Sequence, residues 1–201
     1  GQKTGHFLDQ RENRARVRDL AAGRAVLDGF SCTGGFSVHA AAGGARSVHS
    51  VDIAPLAIAA AERNMGLNLD EPEVAGCDHF VSVGDAFEVM EALAARGDAY
   101  DLVVVDPPSF ASRQADVGRA RRAYTRLTHL ALDLIRPGGV LVQASCSSRV
   151  TADDFFDGIH EAAEVAGRRL TDIERTAHAL DHPIGFPQGA YLKALFTIVD
   201  D

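Results

Sequence analysis

Apolar and polar positions along this chain change period repeatedly. Short apolar runs alternate with longer stretches in which apolar residues recur every three or four positions. The runs at residues 25–28, 47–52, 79–83, 101–105 and 140–144 predict strands. The stretches 36–42, 55–66, 86–95, 118–135 and 151–166 predict helices. Strands that alternate with helices imply βαβ units and a parallel sheet covered on both faces. Ahead of the first strand, residues 10–22 are rich in Arg, Glu and Ala, with Val17 and Leu20 as sparse apolar points, which predicts a surface helix. Two further strand-like runs, 169–176 and 191–199, flank a turn-rich stretch, Asp181-His182-Pro183-Ile184-Gly185-Phe186-Pro187. The simplest reading is an α/β fold with one seven-stranded, mostly parallel sheet between helices.

In such a sheet the carboxyl ends of the strands line one crevice, where ligands bind. The first predicted strand runs into Asp28-Gly29-Phe30-Ser31-Cys32-Thr33-Gly34-Gly35-Phe36. Glycines at a strand-to-helix turn let the backbone approach a ligand closely. The spacing is not G-x-G-x-x-G, so the dinucleotide fingerprint fails and a nicotinamide dehydrogenase is the least supported enzyme. Asp52 ends the second strand, where an acidic residue commonly takes ribose hydroxyls. Asp85 follows the third strand, where it either reads an adenine amino group or caps the next helix. Three acids at three successive strand ends suit a cationic adenosine cofactor, S-adenosyl-L-methionine, which brings no pyrophosphate.

The fourth and fifth strands end in Asp106-Pro107-Pro108-Ser109-Phe110 and Ser145-Cys146-Ser147. Each proline fixes its own φ and restricts the residue before it, so the first segment is a rigid turn. It can present Asp106 and a backbone carbonyl to a planar base, on which Phe110 can stack. A free cysteine is commonly a small buried hydrophobe, which is the default for Cys32 and Cys77. Cys146 differs because it ends a strand opposite Asp106. Of the eight histidines only His182, in the turn-rich stretch, is placed to reach the crevice.

Composition narrows the partners. The chain has 201 residues, enough for one α/β domain, and 46% hydrophobic content is ordinary for a globular protein. No apolar run approaches the roughly 20 residues of a membrane span. The three cysteines form no metal-like cluster, no metal is expected, and their sparse use fits a reducing cytoplasm. A net charge of −8 is unusual for a domain that binds nucleic acid alone. Affinity for RNA must therefore come from a local patch, with Arg113, Arg119, Arg121, Arg122 and Lys193 as candidates, or from another domain. The abrupt start at Gly1-Gln2-Lys3-Thr4 reads as a piece of a longer protein.

Taken in order, six segments resemble one family. They are Lys3-Thr4-Gly5-His6-Phe7-Leu8-Asp9-Gln10-Arg11, the turn from Phe30 to Phe36, the Asp106 and Cys146 segments, Asp181-His182-Pro183, and Tyr191-Leu192-Lys193. The resemblance is to the RlmI-like class I methyltransferases, which form 5-methylcytosine in large-subunit ribosomal RNA. It spans essentially the whole chain and implies the class I, Rossmann-like methyltransferase fold over residues 1–201. It implies Cys146 as nucleophile and Asp106 as the group that binds and helps protonate the ring. Around the cofactor the combined reading sets Phe7, Gln10, Arg11, Asp28, Phe30, Thr33, Gly34, Asp52, Ile53, Asp85, Ala86 and Asp106. Around the base it sets Pro107, Pro108, Phe110, His182 and Lys193. Family members usually carry an amino-terminal PUA RNA-binding domain, which this chain lacks. The oligomeric state stays open, a dimer included.

Two other readings compete. An RNA or DNA amino-group methyltransferase also uses an Asp-Pro-Pro-aromatic motif, but there the aromatic residue directly follows the second proline, and Ser109 intervenes here. Such an enzyme needs no cysteine. A non-catalytic nucleotide- or RNA-binding module that kept the fold is the alternative of another class.

Overall fold

A computed structural model describes residues 7–111, 113–186 and 189–200. Lys3 to His6 of the first family-like segment and Pro187 of the turn-rich stretch lie outside the described residues. A 3₁₀ turn at Leu8–Gln10 leads into α1 (Arg11–Leu20). Then follow β1 (Ala25–Gly29), α2 (Gly35–Ala42), β2 (Ser47–Asp52), α3 (Pro55–Gly66), the one-turn α4 (Pro72–Ala75), β3 (Asp78–Val83), α5 (Ala86–Ala95) and β4 (Tyr100–Val105). The chain continues through α6 (Val117–Leu134), β5 (Ile135–Ser145), α7 (Ala152–Val165), β6 (Arg169–Thr176) and β7 (Lys193–Asp200).

The seven strands form one sheet in the order β3-β2-β1-β4-β5-β7-β6. Pairs from β3 to β5 are parallel, and β7 runs antiparallel to both β5 and β6. The reversal of β7 gives the mostly parallel sheet that the pattern predicts. Central strands are apolar on both faces because both are covered. Leu27, Val103, Val105 and Leu141 pack beneath α5, α6 and α7 with Met90, Leu127 and Phe155. Val26, Leu102, Val104 and Val142 pack beneath α1 and α2 with Val17, Phe36 and Ala40. Among the described residues no helix is long and apolar enough to cross a membrane.

Two element expectations need correction. The helix predicted at residues 10–22 is not a plain surface helix. Asn13 and Arg14 are buried with Val17, and Asn13 ties the helix to β6 by accepting a 2.6 Å bond from Thr176 Oγ1. The last strand begins at Lys193, so Tyr191 and Leu192 belong to the connection before it.

Strand pleat decides which strand-end groups meet. Asp28 pairs in register with Ser50 on β2 and Val104 on β4. Side chains alternate along each strand, so Asp28, Ser50, Asp52, Val104 and Asp106 share the face under α1 and α2. Val142 and Ala144 pair into the same row, and one further step of the alternation adds Cys146.

Candidate active site

The turn after β1 is strained. Phe30 and Cys32 adopt φ of 64° and 49°, which non-glycine residues rarely do, and such strain clusters at functional sites. Asp52 over-determines this geometry: its Oδ2 accepts Cys32 N–H at 2.9 Å and its Oδ1 accepts Ala54 N–H at 2.8 Å. Both oxygens thus hold backbone, each with a lone pair left over. Next to it Ile53 stands 66% exposed, an apolar side chain free to cover a ring. Gly34 answers a packing need. A Cβ there would lie 2.8 Å from the Cβ of Ala61 at φ of 76°, so glycine is demanded by the packing of this turn on α3. Thr33 accepts from Asn64 Nδ2 through its carbonyl and fastens the same turn.

A narrow cleft opens over the turn, lined by Phe7, Arg14, Phe30, Ser31, Cys32, Thr33, Gly35, Phe36 and Asp106. Asp106 is the carboxylate that lines it, and Asp28 is buried on the same strand face. Asp28 accepts from Ser37 N–H at 3.0 Å and Ser37 Oγ at 2.6 Å, yet burial lifts its pKa to about 7. Asp106 also rises to about 7, first through burial and then through the charge of Asp28. Arg14 opposes both shifts, and the Gln10 side chain hydrogen-bonds Asp106. The guanidinium of Arg14 lies 5.7 Å from the Phe36 ring centre. Sequence reasoning missed Arg14 because an arginine in a helix rich in charges reads as solvated. Its i, i+4 spacing from Gln10 is the signal that could have found it.

Cys146 lies beside this floor. Its Sγ is 3.9 Å from the carbonyl oxygen of Pro107, so the Asp106 loop and the β5 end meet as predicted. The thiol is raised to about 11 by burial first, then by the charges of Asp106 and Asp9. Of the prolines, Pro107 is buried and Pro108 exposed.

Several expected contacts change. Phe110 is not a free stacking ring: it packs on Phe87 at 6.2 Å and Tyr124 at 5.1 Å, because the aromatic row through Phe155 takes up its apolar surface. Asp85 is the cap of α5, its Oδ1 accepting Phe87 N–H at 2.9 Å, and Ala86 is buried in the first turn. Arg11 makes a two-pronged bond to Asp181, at 3.0 and 2.8 Å, which clasps the amino-terminal segment to the loop before β7. In that loop His182 stacks on His178 at 4.5 Å, and His178 abuts Tyr191 edge-on. Tyr191 Oη donates to Asp9 Oδ2 at 2.9 Å. Neither Asp9 nor His178 stood out in the sequence, since their partners lie far along the chain.

Lys193 is the clearest correction. It is only 4% exposed, so it is no part of a basic face for RNA, although its charge acts on Cys146. Its Nζ donates to the carbonyls of Ser147, Val150 and Tyr191. Burial lowers its pKa to about 8, which leaves it charged at neutral pH, and only an ammonium supplies three donors. It therefore pins the loop that follows Cys146. Lys193→Met is expected to cost about 2–3 kcal/mol in denaturant unfolding, because buried carbonyls lose charged donors. An unchanged midpoint would remove this role. Arg113, Arg119, Arg121 and Arg122 remain exposed near the start of α6, with Arg119 paired to Asp116 and Arg121 to Asp154.

The model of the S-adenosylmethionine-dependent methyltransferase family matches residues 1–197. A ribosomal RNA large subunit methyltransferase of Deinococcus radiodurans is 47% identical over 200 residues, covering 100% of this chain and 48% of that protein. Ribosomal RNA large subunit methyltransferase I of Shewanella amazonensis is 41% identical over 202 residues, covering 99% of this chain and 50% of that protein. The chain thus spans about half the length of these relatives. A solved methyltransferase in complex with SAH superimposes with a TM-score of 0.82 at 27% identity, covering 96% of this chain and 50% of that one.

Proposed function

Because the chain belongs to the S-adenosylmethionine-dependent methyltransferase family, we propose that it forms 5-methylcytosine in large-subunit ribosomal RNA through a covalent adduct with Cys146. The observation that carries this reading is the thiol of Cys146 against the Asp106-Pro107 turn, on the face that also holds the cleft. The residues present fit the cofactor. Among the described residues Asp28 Oδ1 and Ser31 Oγ are buried without hydrogen-bond partners, which suits a ligand that brings positive charge and donors. Phe7, Phe30, Asp28 and Asp106 would hold its methionine end, and Asp52 and Ile53 its adenosine end. When bound, it supplies an electrophilic methyl group on a sulfonium.

The chain's own groups do the rest. Carbon-5 of cytosine is too poor a nucleophile to take a methyl group unaided. The Cys146 thiolate adds at carbon-6 while Asp106 gives a proton to the ring nitrogen, which makes carbon-5 enamine-like. Methyl transfer to carbon-5, loss of the carbon-5 proton and expulsion of the thiolate complete the turnover. Pro107 and Pro108 hold Asp106 rigid, and Gln10 fixes its carboxyl. Pro108 stands where many RNA 5-methylcytosine enzymes carry a second cysteine, so release proceeds without that thiol. The names of the relatives support a ribosomal RNA substrate, and the cytoplasm is the compartment that fits such work. A PUA domain upstream would supply the phosphate affinity that a charge of −8 denies this domain.

The test is nucleoside analysis after reaction with labelled cofactor and deproteinised large-subunit rRNA. The expected label is in 5-methylcytosine. Label in N6-methyladenosine or N2-methylguanosine would transfer the assignment to an amino-group enzyme. Tight cofactor binding with no labelled nucleoside would favour the non-catalytic module.

A further inference from the structure

We infer that Asp9 is the base that removes the carbon-5 proton. The inference rests on the cysteine reading above. When sulfur has added to carbon-6 on one face of the ring, the methyl group reaches carbon-5 from the other. The hydrogen it displaces from the plane is turned toward the sulfur. The base must therefore lie on the Cys146 side of the substrate.

Asp9 has the attributes this position requires. It is half-buried, and its Oδ2 is held at 2.9 Å by the hydroxyl of Tyr191. Its Oδ1 is buried and, among the described residues, has no hydrogen-bond partner. A buried carboxylate oxygen left unpaired is costly unless a ligand satisfies it. Its charge acts on Cys146, on Asp106 and on Arg14, so it belongs to the same small site. Asp106 is already assigned to the ring nitrogen. His178, whose ring nitrogens are also unpartnered among the described residues, packs against His182 and Tyr191, and the charges that act on it are those of His182, Asp9 and Lys193 and not that of Cys146.

The step balances. Asp9 Oδ1 takes the proton from carbon-5, and the electrons of that C–H bond re-form the double bond to carbon-6. The carbon–sulfur bond breaks and leaves Cys146 as thiolate. The ring nitrogen returns its proton to Asp106.

Asp9→Asn keeps the shape and the Tyr191 bond but cannot accept the proton. With large-subunit rRNA and methyl-labelled cofactor, it should form a labelled RNA–protein band that survives denaturing electrophoresis. Free 5-methylcytosine should fall about 10²- to 10³-fold, while calorimetric cofactor affinity stays within about twofold. A thermal melt checks the fold. Should Asp9→Asn melt early, Tyr191→Phe carries the test, with a weaker band of the same kind. Normal turnover in either folded variant would overturn the assignment, as would lost cofactor binding with no band, which would assign Asp9 to the cofactor. If Cys146→Ala turns over normally, the cysteine reading fails and the role of Asp9 with it. A dead Cys146→Ala beside a normal Asp9→Asn overturns the role of Asp9 alone.

Discussion

Replacing Cys146 by Ala is expected to abolish methyl transfer, by about 10⁴-fold or more, and to leave cofactor binding intact. Loss of a covalent nucleophile removes the whole route, and such losses are the largest single effects in enzymes. The structural cost should be small. The side chain is half-buried and its thiol makes one long contact, to the Pro107 carbonyl. Cofactor affinity is spared because the cleft is lined from the β1 turn and Asp106, without Cys146. Cys32→Ala and Cys77→Ala should keep the chemistry. Cys32 contributes its backbone N–H to Asp52, which alanine also has. Cys77 packs against the α1–α2 side of the core, far along the sheet at the start of β3. Rates of methyl transfer for the three variants, with calorimetry of each, check this. Full activity in Cys146→Ala would move the amino-group reading ahead.

Asp106→Asn is expected to lower the rate by about 10²- to 10³-fold while making Cys146 more reactive toward alkylation. The two effects have one cause. The carboxylate of Asp106 is among the charges that raise the thiol, so removing it lowers the thiol pKa and speeds its reaction with iodoacetamide. The same change removes the proton that the ring nitrogen needs. A thermal melt with unchanged midpoint separates this from loosening of the fold, which would also speed alkylation by exposing the half-buried thiol. Wild-type pH dependence follows from the two groups together. Below about 7 both Asp106 and Cys146 hold protons, and the thiolate form grows scarcer as pH falls. Between about 7 and about 11 the pair holds one proton, and the reactive form keeps it on Asp106 with the charge on sulfur. Reactive and unreactive forms then share one proton count, so the rate is flat there. The value of kcat/KM for the cofactor, which reports the free enzyme, should rise with pH through about 7 and then level. Asp28 titrates in the same range, and its ionised form favours a cationic ligand, so its effect has the same sign. A rate that falls on passing through pH 7 would contradict the assignment.

Much of the fold was legible because burial on both faces leaves an unbroken apolar run, as in Val103, Val104 and Val105. Edges were harder. The run at 140–144 marks only the core of β5, since Arg136, Pro137 and Gly138 are exposed and Gly139, though buried, has no side chain to give an apolar signal. Meeting of Asp106 and Cys146 was legible because both end neighbouring strands, and the pleat puts them on one face. Charged groups turned inward were not legible. Arg14 is indistinguishable by type from its exposed neighbours, and Lys193 reads as a cation for RNA although three carbonyls enclose it. The bonds between Tyr191 and Asp9, and between Arg11 and Asp181, join residues 182 and 170 positions apart. Such closure follows from the whole topology, with β7 returning beside β5, and no local pattern encodes it.

The central claim is that sulfur of Cys146 attacks the ring. RNA that carries 5-fluorocytosine tests it most directly, because fluorine at carbon-5 cannot leave as a proton and the adduct is trapped. Peptide mapping by mass spectrometry of the trapped complex should place the RNA on Cys146, in the wild-type chain and in Cys32→Ala alike. An adduct on Cys32 or Cys77, or full methylation with no adduct at all, would contradict the account.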